Sequence, residues 1–329
     1  MLLAGKDVFI AIQEAVMQHI YNTTDFQFHN TAVSLGKFDG IHVGHRLLMS
    51  EITNEKKRGL AAAAFSFAKH PRKQLDHTVN QLIYTEQEKK RILENLGLDI
   101  LVSYPFDDSV IHMEAEDFVR DILVKKMGAK MVVVGEDFCF GYKRRGDTRL
   151  LAEMAGDSGY VLKVIPKRKV DGEVVGSSLI RQYLSIGEME KANELLGSPF
   201  YISGEVLHGN EIGRTLGMPT ANLLPVEEKL LPPNGVYVSR TCVNGMWYAG
   251  ITNIGKKPTI RKEDRKEGTG DQGVETHLFD FSGDLYGKNI CVELFHYVRP
   301  EQKFSDYEAL SRQMHSDMAY GRTYLTNIS

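Results

Sequence analysis

The hydrophobic and polar positions of the first half of the chain alternate between two patterns. From about residue 31 to 183, short apolar or β-branched runs are separated by longer stretches of helical period. This alternation is typical of an α/β domain with a doubly wound parallel sheet, in which ligands bind at the carboxyl ends of the strands. The runs predict strands at 32–35, 61–67, 100–104, 131–134 and 160–165, and helices at 46–57, 86–96, 115–126 and 148–155, with Thr85 as an N-cap.

The pattern changes near Gly197-Ser198-Pro199. Strands separated by Gly, Pro and Asn clusters follow, and Asn244-Gly245 between two of them is a strong hairpin signal. A last helix, 305–320, carries a stripe at Tyr307, Leu310, Met314 and Met318. The second half therefore predicts a small antiparallel barrel or sandwich with a C-terminal helix. Its strands are expected at 201–206, 235–243, 246–254, 274–281 and 290–297.

The length of 329 residues fits two domains, which we place at 17–197 and 198–329. The segment that the fold needs before its first strand starts at Ile20, and Met17 lies just ahead of it. Met17 could therefore be the initiating residue of the chain. We expect residues 1–16 to be vector-derived or dispensable, and a truncation starting at Met17 that lost function would refute this.

Composition narrows the functional class. A formal net charge of -3 with interspersed signs gives no global basic field for nucleic acid, so any phosphate binding must be local. The three cysteines have no C-x-x-C spacing, which argues against a disulfide framework and a structural zinc site. Because there is also no bilayer-length apolar run and no signal-peptide pattern, we expect a cytoplasmic protein.

The segment GKFDGIHVGH, 36–45, places two histidines three residues apart where the first predicted strand passes into a helix. Helix N-termini favour anions through their N–H groups and dipole. Two imidazoles there can donate hydrogen bonds that strengthen as charge develops on a leaving pyrophosphate. The turn predicts nucleotidyl transfer without a covalent intermediate. A pair of surface histidines beside a glycine turn is the structural alternative.

Three further segments carry residue types suited to a site. Around Asp137, two phenylalanines suit a planar ring, although they could equally be core residues beside a turn. Ser177 and Ser178 precede a helix and can cap it or bind phosphate, and Arg181 follows with a guanidinium that can span two phosphate oxygens or simply lie on the helix surface. The Thr220 hydroxyl and Asn222 amide oxygen are hard ligands of the kind that magnesium prefers.

In order along the chain, these segments resemble the motifs of the prokaryotic bifunctional riboflavin kinase/FMN adenylyltransferase family, also called FAD synthetase. In the first half the similar segments are GKFDGIHVGH at 36–45, FSFAKHPR at 65–72, VGEDFCFG at 134–141 and GSSLIR at 176–181. In the second half they are GEVLHG at 204–209, GRTLGMPTAN at 213–222, NIGKKPT at 253–259, VETHL at 274–278, DFSGDLYG at 280–287 and RPEQKF at 299–304.

The resemblance implies a Rossmann-like nucleotidylyltransferase domain that adenylylates FMN to FAD and a barrel that phosphorylates riboflavin. Both steps use ATP and a divalent metal, expected to be Mg²⁺. The partners are then the small molecules riboflavin, FMN and ATP, with no nucleic acid or membrane; a homo-oligomer is left open.

The resemblance also implies roles for individual residues. Glu275 would be the general base of the kinase, and His42, His45 and Arg181 would act on the ATP phosphates. The other implied ATP or phosphate contacts are Gly36, Phe38, Asp39, Gly40, Gly44, Ser177, Ser178, Gly209, Gly213, Arg214, Gly217 and Pro219. The implied flavin contacts are His70, Pro71, Asp137, Phe138, Phe140 and Arg299, and the implied metal ligands are Thr220 and Asn222.

The chain departs from the family pattern at Lys37, Lys69, Cys139 and Gly176. One alternative is therefore a riboflavin kinase with a degraded adenylyltransferase module, and a second is a non-enzymatic flavin sensor. The charged stretch at 261–273 is interpreted as a solvated connection, with a mobile flap over a ligand as the alternative.

Overall fold

The computed structural model of the chain describes residues 17–68, 81–208, 218–256 and 272–328. These residues fall into two compact units, an N-terminal unit that ends at Ser177 and a C-terminal unit that starts at Ser178. The predicted boundary at 197/198 lies later, after helices Ser177–Ile186 and Met189–Leu196. The second of these helices packs on strands of the C-terminal unit. The domain boundary at 197/198 stays a prediction.

The N-terminal unit is built on a parallel sheet, as predicted. Over the described residues it has six strands in the order β1-β4-β3-β2-β5-β6, and every neighbouring pair is parallel. The strands are β1 Gln18–Tyr21, β2 Thr31–Leu35, β3 Ala61–Phe67, β4 Ile100–Tyr104, β5 Ala129–Gly135 and β6 Val161–Ile165. The edge strand β1 was not predicted, because its sequence QHIY has neither a continuous apolar run nor a clear alternation. A small hairpin of β7 Lys169–Val170 and β8 Glu173–Val174 follows the sheet.

Helices cover the sheet where the helical periods predicted them. They are α1 Val43–Asn54, α2 Glu86–Asn95, α3 with segments Ala115–Asp117 and Phe118–Lys126, and α4 Thr148–Ser158. Thr85 caps α2 as predicted, in a capping box in which its hydroxyl accepts from the N–H of Glu88. The second segment of α3 is a π-helix, and it buries Phe118, Val119, Ile122 and Leu123.

The strand order places the carboxyl ends of β2 and β5 side by side. From β2 the chain moves outward through β3 and β4, and then returns to the other side of β2 with β5. Such a reversal leaves a crevice at the carboxyl ends of the two strands, where open α/β sheets bind ligands. The GKFDGIHVGH turn leaves β2 at this point.

The C-terminal unit confirms the predicted antiparallel barrel. Its strands, in the order β10-β13-β12-β11-β14-β9 over the described residues, are β9 Phe200–Glu205, β10 Ala221–Leu223, β11 Gly235–Val243, β12 Met246–Lys256, β13 Gln272–Leu278 and β14 Asn289–Arg299. Leu207, just beyond β9, donates its N–H to the carbonyl of Asn222 in β10 at 2.8 Å. This bridge joins the two edges of the sheet. The three-residue β10 was not predicted, since it is too short to show a period.

The Asn244-Gly245 hairpin is confirmed. Both residues have positive φ, 49° and 82°, as a two-residue type I′ turn requires. The unit also contains three helices, α5 Ser177–Ile186, α6 Met189–Leu196 and the C-terminal helix α7 Tyr307–Ile328. The first residue of α5, Ser177, still belongs to the N-terminal unit. The predicted stripe of α7 was partly wrong, because Tyr307 is 65 % exposed and the buried positions are Asp317, Gly321 and Leu325. An added Cβ at Gly321 would lie 2.9 Å from Ile251 of β12, so glycine permits this close packing.

Candidate active sites

The turn between β2 and α1 has a tightly packed backbone. Phe38 and Ile41 have φ of 49° and 40°, which is costly for side chains of their size. Both are fully buried, so packing holds the turn in this form. A Cβ at Gly36 would lie 2.8 Å from the Phe38 ring, which explains the glycine at the end of the strand.

Hydrogen bonds from three separate segments hold the same turn. Ser66, at the end of β3, donates to the carbonyl of Lys37 at 3.2 Å. The N–H of Ile83 donates to Asp39 Oδ1 at 3.0 Å, and the Ser177 hydroxyl donates to the carbonyl of Asp39 at 2.6 Å. The turn is therefore fixed from outside its own sequence, and Ser177 acts on it through the backbone.

The two histidines form one structural unit at the start of α1. His42 is the N-cap, and its Nδ1 accepts a hydrogen bond from the N–H of His45 at 3.3 Å. The two rings stack with centroids 3.8 Å apart, and Phe38 packs edge-on against His45. A Cβ at Gly44 would lie 3.1 Å from His42 Nδ1, so the glycine leaves room for the stack.

Both imidazoles are neutral at pH 7. Burial lowers the pKa of His42 to about 4, although the charges of Asp39 and Asp137 offset part of this effect. Burial, with the neighbouring His42, also lowers the pKa of His45 well below its usual range. Because His42 Nδ1 accepts a hydrogen bond, its proton must be on Nε2. The His45 Nδ1 atom is buried and has no hydrogen-bond partner among the described residues. His42 can therefore offer an N–H donor from Nε2 without carrying a charge.

The segment after β5 contributes to the same crevice. Asp137 acts electrostatically on His42, and its carboxylate lies 3.1 Å from Lys167 Nζ. Phe138 is half-buried and stacks on Phe140 with centroids 5.6 Å apart. Phe140 itself is 8 % exposed and belongs to the hydrophobic core, so Phe138 has the more accessible ring.

Beside the turn lies an open cleft, which sequence reasoning did not identify. Its lining includes Lys37, Phe38, Asp39, Ser66, Phe67, Tyr84, Glu86 and Lys89. Lys89 Nζ lies 2.6 Å from Glu86 Oε2. Despite burial, hydrogen bonds from His19, Lys89 and Ser103 lower the pKa of Glu86 to about 2, so this carboxylate stays ionised. Charged residues on helices are usually solvated, so no sequence pattern indicated that this pair faces a cleft.

In the C-terminal unit, the predicted base and metal ligands lie together on the barrel. Glu275 of β13 is directly opposite Asn222 of β10 on one side and Asn253 of β12 on the other. The Thr220 hydroxyl donates to Glu275 Oε1 at 2.6 Å. Directly opposite residues of antiparallel strands project to the same face, so these side chains form one polar row.

Alternate residues of β13 point into the barrel instead. Thr276 is fully buried there, and the Thr252 hydroxyl lies within hydrogen-bond distance of both the Thr276 hydroxyl, at 2.9 Å, and the Ser239 hydroxyl, at 2.8 Å. This satisfied hydroxyl network ties β11, β12 and β13 together. It thereby supports the strand that carries Glu275.

Arg299 has a structural partner. Its guanidinium makes a forked pair with the buried carboxylate of Asp317 on α7, with the closest contact, from Nη2, at 2.7 Å. The implied flavin contact of Arg299 stays a prediction, and the visible role of this side chain is to hold α7 against β14.

For the remaining predicted residues, the implied contacts stay predictions. Arg181 and Ser178 lie on α5 within the C-terminal unit, whereas the histidines belong to the N-terminal unit, so their shared action on ATP stays a prediction. His70 and Pro71 fall outside the described residues, as do Gly209, Gly213, Arg214 and Gly217 and most of the charged stretch 261–273. No group of three His, Cys, Asp or Glu side chains suited to a metal ion occurs within the described ranges.

Comparison with known proteins matches both units. A riboflavin kinase family model covers residues 196–325, and an FAD synthetase family model covers residues 25–179. A crystal structure described as a macrolide-efflux protein from Streptococcus pneumoniae superposes with a TM-score of 0.80 at 27% identity, over 93% of this chain and 99% of that one. In the described parts of this chain, no helix is long and apolar enough to cross a membrane.

Curated relatives agree with the two family models. The bifunctional riboflavin kinase/FMN adenylyltransferase of Buchnera aphidicola is 34% identical over 91% of this chain and 95% of its own length. The protein of the same name from Escherichia coli K12 is 33% identical over 94% of this chain and 97% of its own length. Because such identity extends over nearly the whole of each sequence, the chain belongs to the bifunctional riboflavin kinase/FMN adenylyltransferase family.

Proposed function

We propose that the chain carries out two consecutive ATP-dependent reactions of flavin nucleotide synthesis. The C-terminal unit transfers the γ-phosphoryl group of ATP to riboflavin, giving FMN and ADP. The N-terminal unit transfers the adenylyl group of a second ATP to FMN, giving FAD and pyrophosphate. The observation that carries the proposal is that each unit assembles its own reactive set, the stacked histidines in one and the Thr220–Glu275 pair in the other.

In the kinase step, Glu275 removes the proton of the riboflavin primary hydroxyl while its oxygen attacks the γ-phosphorus. A base is needed because a neutral alcohol is a weak nucleophile. The Thr220 hydroxyl donates a hydrogen bond to Glu275, which leaves the lone pairs of the Thr220 oxygen directed away from the carboxylate. Thr220 and the Asn222 amide oxygen therefore fit a hard cation. A magnesium ion held there with ATP would neutralise phosphate charge during the transfer.

In the adenylyl step, the FMN phosphate attacks the α-phosphorus of ATP directly and pyrophosphate leaves. The neutral His42 and His45 rings donate hydrogen bonds to the departing oxygens, and the dipole of α1 adds to this stabilisation. Uncharged donors avoid the cost of burying two cations in contact with each other. The resulting bonds are strongest when charge on the pyrophosphate is greatest, which favours the transition state.

The substrates and compartment belong to the same proposal. Riboflavin, FMN and ATP are the small molecules that these two reactions require. The three cysteines without C-x-x-C spacing suit a reducing cytoplasm. The aromatic and charged cleft beside Phe38 lies next to the histidine turn, where substrate must reach the N-terminal site.

The test is a product analysis of the purified chain incubated with riboflavin, ATP and MgCl₂. We expect riboflavin to be converted first to FMN and then to FAD. Glu275→Gln should stop riboflavin consumption but still convert supplied FMN to FAD. FMN that accumulates without FAD would instead indicate a kinase with an inactive adenylyltransferase module, and riboflavin binding without any product would indicate a flavin sensor.

A further inference from the structure

The polar row around Glu275 includes a histidine that the proposed reaction does not use. His277 lies two residues after Glu275 on β13, so the two side chains share one face of the barrel. Its Nδ1 is 2.8 Å from the carbonyl oxygen of Pro219. Pro219 immediately precedes Thr220 in the sequence, so this bond lies next to the proposed metal ligand.

The direction of this hydrogen bond follows from its partners. A carbonyl oxygen only accepts, so the His277 Nδ1 atom must carry the proton. In the neutral ring, Nε2 is then the unprotonated nitrogen. His277 therefore acts towards Pro219 as a fixed N–H donor.

The bond lies beyond the strand ladder that holds the neighbouring residues. The pairing of β10 with β13 begins at Ala221, which is opposite Thr276. Thr220 and Pro219 come before this first pair. Two hydrogen bonds connect them to β13. The Thr220 hydroxyl donates to Glu275, and His277 donates to the Pro219 carbonyl. Together they set the position of the peptide unit that carries the Thr220 oxygen.

We propose that His277 is a positioning residue for phosphoryl transfer, which fixes the Pro219–Thr220 peptide so that the Thr220 oxygen meets the magnesium–nucleotide complex. This inference rests on the proposed kinase roles of Thr220 and Glu275. It assigns His277 no contact with riboflavin and no proton transfer. Loss of the Nδ1 donor should weaken nucleotide binding through the metal more than it slows the chemical step.

Three substitutions of His277 distinguish the role of Nδ1 from that of Nε2. His277→Asn places an amide N–H near the position of Nδ1, His277→Gln places one near Nε2, and His277→Leu has neither. His315 provides a matched control, because its Nδ1 also bonds a backbone carbonyl at 2.8 Å, on the exposed surface of α7. The fluorescence of Trp247, on β12 of the same barrel, reports whether each variant is folded.

We expect the Leu and Gln variants to bind ADP about 3- to 10-fold more weakly than wild type in calorimetry at fixed MgCl₂, the effect of losing one hydrogen bond. The MgCl₂ concentration for half-maximal riboflavin phosphorylation should rise by a similar factor. The Asn variant and His315→Leu should stay within about 2-fold of wild type, since each keeps the bond to Pro219. In nitrogen-15 NMR, neutral His277 should carry its proton on Nδ1.

Several results would overturn the inference. Equal losses in the Asn and Leu variants would show that the Nδ1 bond is not what matters, and a Gln variant better than Asn would place the role at Nε2. Wild-type binding in all three variants would show that the bond has no part in nucleotide binding. Failure of the underlying kinase proposal is separate, because it would appear as full riboflavin phosphorylation by Glu275→Gln whatever the His277 variants do.

Discussion

The buried histidine at the start of α1 predicts a specific loss of stability in mild acid. The pKa of His42 is about 4 in the folded chain, against 6.5 for an ordinary histidine. The unfolded chain therefore binds a proton that the folded chain rejects as the pH falls from 6.5 to 4. Stability of the N-terminal unit must decrease through this window.

The size of the effect follows from the difference between the two pKa values. Once His42 is fully protonated in the unfolded chain, the free energy of unfolding is lower by about 3 kcal/mol. About 2 kcal/mol of this decrease has already occurred at pH 5. His42→Asn removes the titration but keeps a side-chain acceptor for the N–H of His45, because asparagine is a good N-cap. The variant should therefore lose about 2 kcal/mol less than wild type between pH 7 and pH 5.

The measurement is urea unfolding of both proteins at pH 7 and pH 5, followed by circular dichroism. Trp247, the single tryptophan of the chain, lies on β12 in the C-terminal unit, so its fluorescence provides an internal control that should not distinguish the two proteins. Equal losses of stability in wild type and His42→Asn would refute the neutral, buried state of His42.

Three further substitutions test the packing around the two histidines and around Arg299. Gly44→Ala would place a Cβ 3.1 Å from His42 Nδ1 and displace the ring. The rate of FAD formation should therefore fall about 10-fold or more, while riboflavin phosphorylation is unchanged. Wild-type rates of both reactions would contradict the stacked geometry. Asp317→Asn leaves Arg299 without its buried carboxylate and should cost about 3 kcal/mol, measured as a lower unfolding midpoint by tryptophan fluorescence. Asp280→Asn, at an exposed pair, should leave that midpoint nearly unchanged. Similar losses in the last two would contradict a structural role for the Arg299 pair.

The elements that sequence reasoning located are those with a strong period or local signal. The strands β2 to β6 and the hairpin at Asn244-Gly245 lay where apolar runs and turn residues placed them. The strands β1 and β10 were not predicted because each is short. Each is held by pairing with a neighbouring strand, β4 or β13, and its own residues show no clear pattern.

The candidate sites were predicted to a similar extent. The histidine turn and the Thr220–Glu275 pair lie on motifs that the sequence shows directly. Contacts between distant segments could not be predicted, since nothing local announces that Ser177 bonds the backbone of Asp39 or that Arg299 pairs with Asp317. The cleft beside Lys89 is of the same kind, because it forms only when the ends of two strands and a helix meet.

The central claim is that two independent sites in one chain act in sequence. The most direct measurement supplies riboflavin, ATP and MgCl₂ to three samples: His42→Ala with His45→Ala, Glu275→Gln, and a mixture of the two proteins. We expect the histidine variant to accumulate FMN, Glu275→Gln to leave riboflavin unchanged, and the mixture to produce FAD because FMN can diffuse between chains. FAD formed by the histidine variant alone, or FMN formed by Glu275→Gln alone at the wild-type rate, would contradict the account.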